Sequence, residues 1–445
     1  MLRPARKVLF LFTCLLAAPG TAGRALGQGA PAPSPLPRIT LAEAIERANR
    51  VQPGVVSAFG SVRNANARRR ASFGAFLPNL TVSGSVGDFY SEGARIDPST
   101  GQLVTSGTTN RSVNTNLNSS IELFDGWRRP AERKAANANL DAAEAGLVSA
   151  QFDQQLTTTN AYFDVLAAEQ LLTVRQASVR RAEEQLNVSV SRLHAGSGIR
   201  SDSLRSLVTL GQTQLSLLDA QTALSVAQAN LGRLVGADGP VGAADDSSLY
   251  TVMTTVDSAS IRAEALSKAP AVLSAEASAR ASRASVGVSK AAYFPSLTLS
   301  TSMSLNGSRQ NDYTFLQQRQ LNLGLNWPIF NRFQREQSIA TAVSSAETAE
   351  ANAAEARRQV LADVTSSLAS LEAARLRIGI TQTSVQAARE DLRVQQERFR
   401  LGAGTIVDVL TSQEALDQAE VDAVTARFDY VRARAELSAL IGRPL

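Results

Sequence analysis

Cysteine is all but missing from this chain: the single one, Cys14, lies near the start of 445 residues. It sits in an apolar run, Val8–Ala18, behind Arg3, Arg6 and Lys7 and ahead of small residues that continue to about Ala30. That layout reads as a secretory signal peptide over residues 1–28. About eleven apolar residues are too few to span a bilayer as a helix. In LFTC a threonine stands where a lipoprotein signal wants Gly or Ala, so Cys14 reads as a packing residue of a discarded peptide. The remainder then has no thiol, which excludes disulfides and thiol chemistry.

Histidine is as scarce. His194 has no partners at metal-ligand spacing and reads as a solvated residue beside a turn. There is no phosphate-binding GxxxxGK[ST], no nucleophile elbow and no Cys/His set for zinc. Glu183–Glu184 and Asp245–Asp246 read as exposed charge, so neither an enzyme nor a cofactor is expected. Aromatics are only 5% of the chain, while Ala and Ser abound, which favours thin layers of closely packed helices over one large core. The formal charge of +5 overstates the basicity. Arg3, Arg6, Lys7 and Arg24 leave with the leader and no acid goes with them, so 41 basic residues face 40 acidic ones. That near-balance removes the electrostatic footprint of a nucleic-acid binder. Arg68–Arg70 and Arg128–Arg129 read as solvated faces or rim anchors. After the leader no run of 18 apolar residues remains, so no membrane-spanning helix is expected.

What the chain does have is a large repeat. Displacement by 206 residues carries Phe124 to Phe330, Leu193 to Phe399, Gly196 to Gly402, Gly198 to Gly404, Asp202 to Asp408 and Leu204 to Leu410, and LGRLVG (231–236) to LSALIG (437–442). Earlier in each unit the displacement is 217, aligning AFLPNLTVS (75–83) with AYFPSLTLS (292–300). The chain is a tandem duplication: a Pro-rich lead (29–39), a first repeat (40–235), a linker (236–257) and a second repeat (258–445).

After Pro78 and Pro295 the period changes from helical to alternating. Leu80, Val82 and Val86 alternate with Asn, Thr and Ser; so do Val113, Leu117, Ile121 and Leu123, then Leu297, Leu299, Met303 and Leu305, then Leu321, Leu323, Leu325 and Trp327. Four such segments, in hairpins 79–124 and 296–329, match strands of an outer-membrane barrel; a soluble hairpin packed on one face is the other reading. Phe76, Phe124, Trp127, Tyr293, Phe294, Trp327 and Phe330 cluster at the helix-side strand ends, where an interfacial girdle belongs. Residues 88–112 and 307–317 are expected to be polar loops. Four strands cannot close a barrel, so the chain must share one with copies of itself.

The rest is helical. Thr40 and Glu43 form a capping-box pattern, and Pro53 marks a local break. Long helices are expected from Pro130 to about His194 and over about 336–400, each roughly 95 Å. Apolar residues recur every seven at Val165, Leu172, Val179, Leu186 and Leu193, and at Val364, Leu371, Ile378, Val385, Leu392 and Phe399. Leu210, Leu217, Leu224 and Leu231 continue the rhythm on the next helix, so coiled-coil packing follows. The tips lie at 194–201 and 400–407. The Gly/Asp/Ser-rich linker reads as a belt around the middle.

This layout, with FLP/YFP before each first strand and GAGTIVDVL (402–410), resembles the TolC family of outer-membrane efflux channels across essentially the whole chain after the leader. The resemblance implies a mainly α fold with a small membrane β part: a homotrimer whose twelve-stranded β-barrel continues into a twelve-helix tunnel. It implies outer-membrane lipid around the barrel, a periplasmic adaptor at the tips, and an inner-membrane pump of RND, ABC or MFS type. It places Asp408 in an acidic ring at the periplasmic entrance. Thr411 replaces the family's second acid, Gly404 replaces a bracing arginine and Phe399 replaces a tyrosine. Arg200, Arg400 and Asp202 are then the groups from which a latch could be built. Tip glycines Gly196, Gly198, Gly402 and Gly404 allow the reversal between helices, and the resemblance adds adaptor docking there. From the residues alone Asp408 reads equally as a helix N-cap, a role its twin Asp202 also fits. A coiled-coil scaffold without channel activity is the rival function.

Overall fold

Helix α1 (Leu41–Val51) starts where the Thr40 hydroxyl accepts the Glu43 N–H. The Glu43 carboxylate turns to Arg47 instead of back to Thr40, so only half of the capping box forms. Pro53 then opens α2 (Pro53–Gly74) at a position where its missing N–H is not needed. The computed structural model describes residues 36–246, 250, 257–309 and 312–443. The expected signal peptide and part of the linker lie outside the described residues.

From Arg38 onward the described chain forms one unit with two-fold internal repetition. The first half continues through strands β2 (Asn79–Ile96) and β3 (Leu103–Phe124), helix α3 (Arg128–His194) and helix α4 (Arg200–Val235). The second half repeats it with α5 (Ser258–Lys268), α6 (Pro270–Lys290), β5 (Ser296–Ser308), β6 (Leu316–Asn326), α7 (Gln334–Arg400) and α8 (Ile406–Ile441). Both long helices have 67 residues, about 100 Å at 1.5 Å per residue. The sevenfold apolar positions face inward: Val165, Val364, Leu371 and Leu392 are buried along the seams.

The four long strands form one antiparallel sheet in the order β2-β3-β5-β6, with β2 and β6 as open edges. Registration sorts the two faces. Asn79, Ser120, Ser300 and Asn322 lie in one cross-strand row, and Thr81, Asn118, Ser302 and Gln320 in the next. These side chains line a hollow of about 320 Å³, so the polar face is the concave one. The opposite face carries Ile121, Leu299 and Leu323 in register, with Leu297 beside Leu325 and Val86 beside Val113. The first hairpin differs from the expected long loop. Pairing continues through Asp88↔Arg111 to Ile96↔Leu103, leaving only residues 97–102 as a turn. Threonines and aromatics with strand preference, such as Tyr90 opposite Thr109, sustain the ladder where the apolar alternation has faded. The residues that distinguish the two halves therefore lengthen a hairpin instead of a loop.

At mid-height a two-residue strand β1 (Arg38–Ile39) runs parallel to β4 (Gly242–Ala243) from the linker. The Tyr162 hydroxyl of α3 donates to the Ala244 carbonyl at 2.5 Å and lies 3.2 Å from the Ile39 carbonyl. Tyr250, farther along the linker, meets Phe428 edge to face at 5.9 Å and donates to Asp245 at 2.7 Å. Burial first, and the Asp245 bond second, raise the Tyr250 hydroxyl above its ordinary range, so it stays a donor. The main core sits here, around Tyr162, Phe163, Phe428, Tyr430, Leu231 and Leu437.

Candidate functional site

The two helical hairpins end in matched turns. α3 stops at His194 and Gly196 takes φ +70°; α7 stops at Arg400 and Gly402 takes φ +75°. Left-handed backbone explains glycine at these two positions. Gly198 and Gly404 have another reason. A Cβ at Gly198 would lie 3.0 Å from the Leu193 nitrogen, and one at Gly404 3.2 Å from the Arg398 Cβ. The returning chain packs directly on the helix it has left.

Beyond the turns the halves diverge. Thr405 is the N-cap of α8: its hydroxyl accepts the Asp408 N–H. The Asp408 carboxylate accepts the Thr405 N–H at 3.0 Å and hydroxyl at 2.8 Å. Asp408 is thus the third-residue partner of a full capping box and not the N-cap itself. The backbone and side-chain bonds from Thr405, with a smaller attraction from Arg398, hold its carboxyl below the ordinary carboxylate range. Asp202 differs. Ile199 precedes α4 without a side-chain cap, and Asp202 sits half-buried in the first turn, where the helix dipole favours an acid.

Phe399 is 5% exposed, at the end of a seam with Leu392, Ile406, Val409 and Leu416. The Arg192 guanidinium lies 4.4 Å from its ring centroid and donates to the Phe399 carbonyl. One hairpin tip is pinned to the other through this contact. Among the described residues Arg398, the twin of Arg192, bonds within its own hairpin, to Gln395 and Ala403. Arg400 pairs with Glu397 on its own helix at 2.8 Å. Arg200 is exposed and has no ion pair among the described residues. Thr411 is exposed and lines a groove of about 610 Å³ between α4 and α8, with Leu204, Val208 and Val407. His194 is exposed at the end of α3.

A second tie lies about 17 Å farther from the tips along α3. Arg181 donates to Asp417 at 2.5 Å and to Glu420 at 2.8 Å, both on α8. Arg389 of α7 reaches Glu420 at 3.3 Å. The three side chains Arg181, Asp417 and Glu420 are only 20%, 12% and 14% exposed. Desolvation works against the Arg181 charge, but the two acids outweigh it and its pKa is raised. Sequence reading missed this group because each residue falls on a polar heptad position. The available signal was a mismatch between repeats: the twins of Arg181, Asp417 and Glu420 are Ala387, Gly211 and Gln214.

At the other end the chain passes from strand to helix through strained turns. Gly126 and Trp127 take positive φ, and so do their twins Arg332 and Phe333. Bulky residues avoid that region; here it turns Trp127 and Phe333 outward, both largely exposed. Phe76, Phe294, Trp327 and Phe330 are exposed at the same junction, while Phe124 is half-buried against Trp127 at 6.1 Å. Phe333 belongs with this set, packed edge-on against Phe330 at 5.5 Å. Phe89, Tyr90, Tyr313 and Phe315 form a second exposed group near the far ends of the strands.

A mainly helical duplicated chain, a four-stranded sheet with an apolar convex face and aromatics at both rims together define an outer-membrane class of protein. The model of the family described as "Outer membrane efflux protein" matches residues 44–237 and 261–443, and the chain belongs to that family. It is 29% identical over 343 residues to the pyoverdine export outer membrane protein OpmQ of Pseudomonas aeruginosa, covering 74% of this chain and 70% of OpmQ. Against the outer membrane protein TolC of Escherichia coli the identity is 23% over 367 residues, covering 79% and 73%. The crystal structure of VceC from Vibrio cholerae superposes with a TM-score of 0.74 at 19% identity, over 91% of this chain and 96% of that one. The fold is shared. The chain is an outer-membrane efflux protein.

Proposed function

We propose that three copies close one continuous conduit that passively carries solutes across the outer membrane. The observation that supports this best is the four-stranded sheet with two open edges, β2 and β6. Such edges demand pairing, four strands cannot enclose a lumen, and twelve leave an open one. A second apolar stripe on α4, at Leu204, Val208, Leu215 and Val226, is exposed in the single chain and suits a neighbouring copy. The coil tips at Gly196, Gly198, Gly402 and Gly404 form narrow ends for a periplasmic adaptor, behind which an inner-membrane pump loads the cargo. Three Asp408 carboxylates would attract cations at the entrance. Arg192 on Phe399 and Arg181 on Asp417 and Glu420 join the hairpins within each copy, which leaves Arg200, Arg400 and Asp202 to act as a latch between copies.

Reconstitution of the purified full chain into neutral planar bilayers tests the proposal. Steady, voltage-tolerant conductance from a detergent-extracted trimer is expected. A monomer that stays in solution without detergent and never conducts would support the scaffold reading instead.

A further inference from the structure

Between Glu46 and Asp88 there is no acidic residue, yet the stretch carries Arg63, Arg68, Arg69 and Arg70 on α2. All four are exposed, and none makes an ion pair or side-chain hydrogen bond among the described residues. Glu132 of α3 pairs with Arg128, and Asp125, just before that helix, pairs with Arg129. The fold does not require these charges. In the twin helix α6, at the same distance before the strand, Arg68–Arg70 are replaced by Ser285, Val286 and Gly287.

The triplet sits at a defined depth. Arg133 of α3 stacks on Phe73 at 5.5 Å and Arg129 on Phe76 at 5.1 Å, which fixes the end of α2 beside the strand-to-helix junction. Phe73, Phe76 and Leu77 are exposed and lead directly into β2, whose apolar face continues the same surface. From Phe73, the last aromatic within α2, back to Arg70 is about 4.5 Å along the helix and to Arg68 about 7.5 Å. A bilayer headgroup layer is about 5–8 Å thick on each side. With the apolar face in hydrocarbon and Phe73, Phe76 and Leu77 at its edge, the three guanidiniums lie among headgroup phosphates.

We infer that Arg68, Arg69 and Arg70 form a collar that binds anionic phospholipid headgroups of the periplasmic leaflet, an inference that rests on the membrane-barrel reading above. Lipid is favoured over a protein partner by continuity with the apolar face and by the exposed aromatics beside unpaired positive charge.

The test uses the full-length protein in neutral detergent, titrated with phosphatidylglycerol or phosphatidylcholine and read by native mass spectrometry. Phosphatidylglycerol is expected to be retained in clear preference. The variant R68Q/R69Q/R70Q should weaken that binding by about fivefold per arginine, roughly a hundredfold in all. R68K/R69K/R70K should keep it within a few-fold. Equal retention by the glutamine variant overturns the inference. So does a glutamine variant whose oligomer falls apart in lipid-free detergent, because the arginines would then be answering carboxylates of a neighbouring copy. Conductance in phosphatidylcholine bilayers separates the two readings: a conducting protein without lipid preference removes the collar alone, and a protein that never conducts removes both.

Discussion

Asp408 joins a capping role to the entrance role proposed for it. Its carboxylate closes the capping box with Thr405 and is held below the ordinary carboxylate range by those bonds. An unfolded aspartate takes up its proton near pH 3.9. Because the folded value is lower, the stabilisation is fully present above that pH and is lost as pH falls through the folded value. Amide exchange at residues 405–409 should therefore accelerate on acidification, and Asp408→Asn should show the faster exchange already at pH 7. The same variant should lower cation preference in planar bilayers. Unchanged exchange and unchanged selectivity would together remove Asp408 from both roles.

At the scale of elements, the ties between hairpins carry the argument. Removing the Arg181 guanidinium leaves Asp417 and Glu420 facing each other in a largely buried gap, a loss of roughly 2–4 kcal/mol. Arg181→Gln should lower the denaturation midpoint accordingly and raise single-channel conductance by loosening the hairpins; an unmoved midpoint would mean that the network is solvated. Much of this architecture could be read from the chain alone. Sevenfold apolar spacing announces the seams that bury Val165, Val364, Leu371 and Leu392, and alternation announces the faces of the sheet. Ladder length was not legible, since residues 88–96 and 103–111 mix charge, glycine and threonine without a clean apolar rhythm. Nor was the Arg181 tie, because a charged residue on a helix surface looks the same in sequence whether it meets water or a partner helix. Tip chemistry was partly legible. Glycines mark the turns, but only geometry separates Gly402, needed for its φ, from Gly404, needed for its lack of a side chain.

For the whole molecule the decisive question is assembly. Leu215 is 64% exposed on the α4 stripe, clear of the α3 seam. Leu215→Asp should leave helix content unchanged in the isolated chain but bury a carboxylate wherever copies meet, at a cost of at least about 2 kcal/mol per copy. Mass photometry in detergent should then find monomers in place of trimers; a trimer that persists would put the contact elsewhere.

In the proposed conduit, the uncharged rows of the concave face have a consequence for traffic. Hydroxyls and amides from four strands stand in for part of a solute's hydration without offering any single site strong enough to detain it. A duct lined by such rows would discriminate little by sign or shape at that level. Selection would then fall to the coil tips, about 100 Å away along the helices, where the proposed loading takes place.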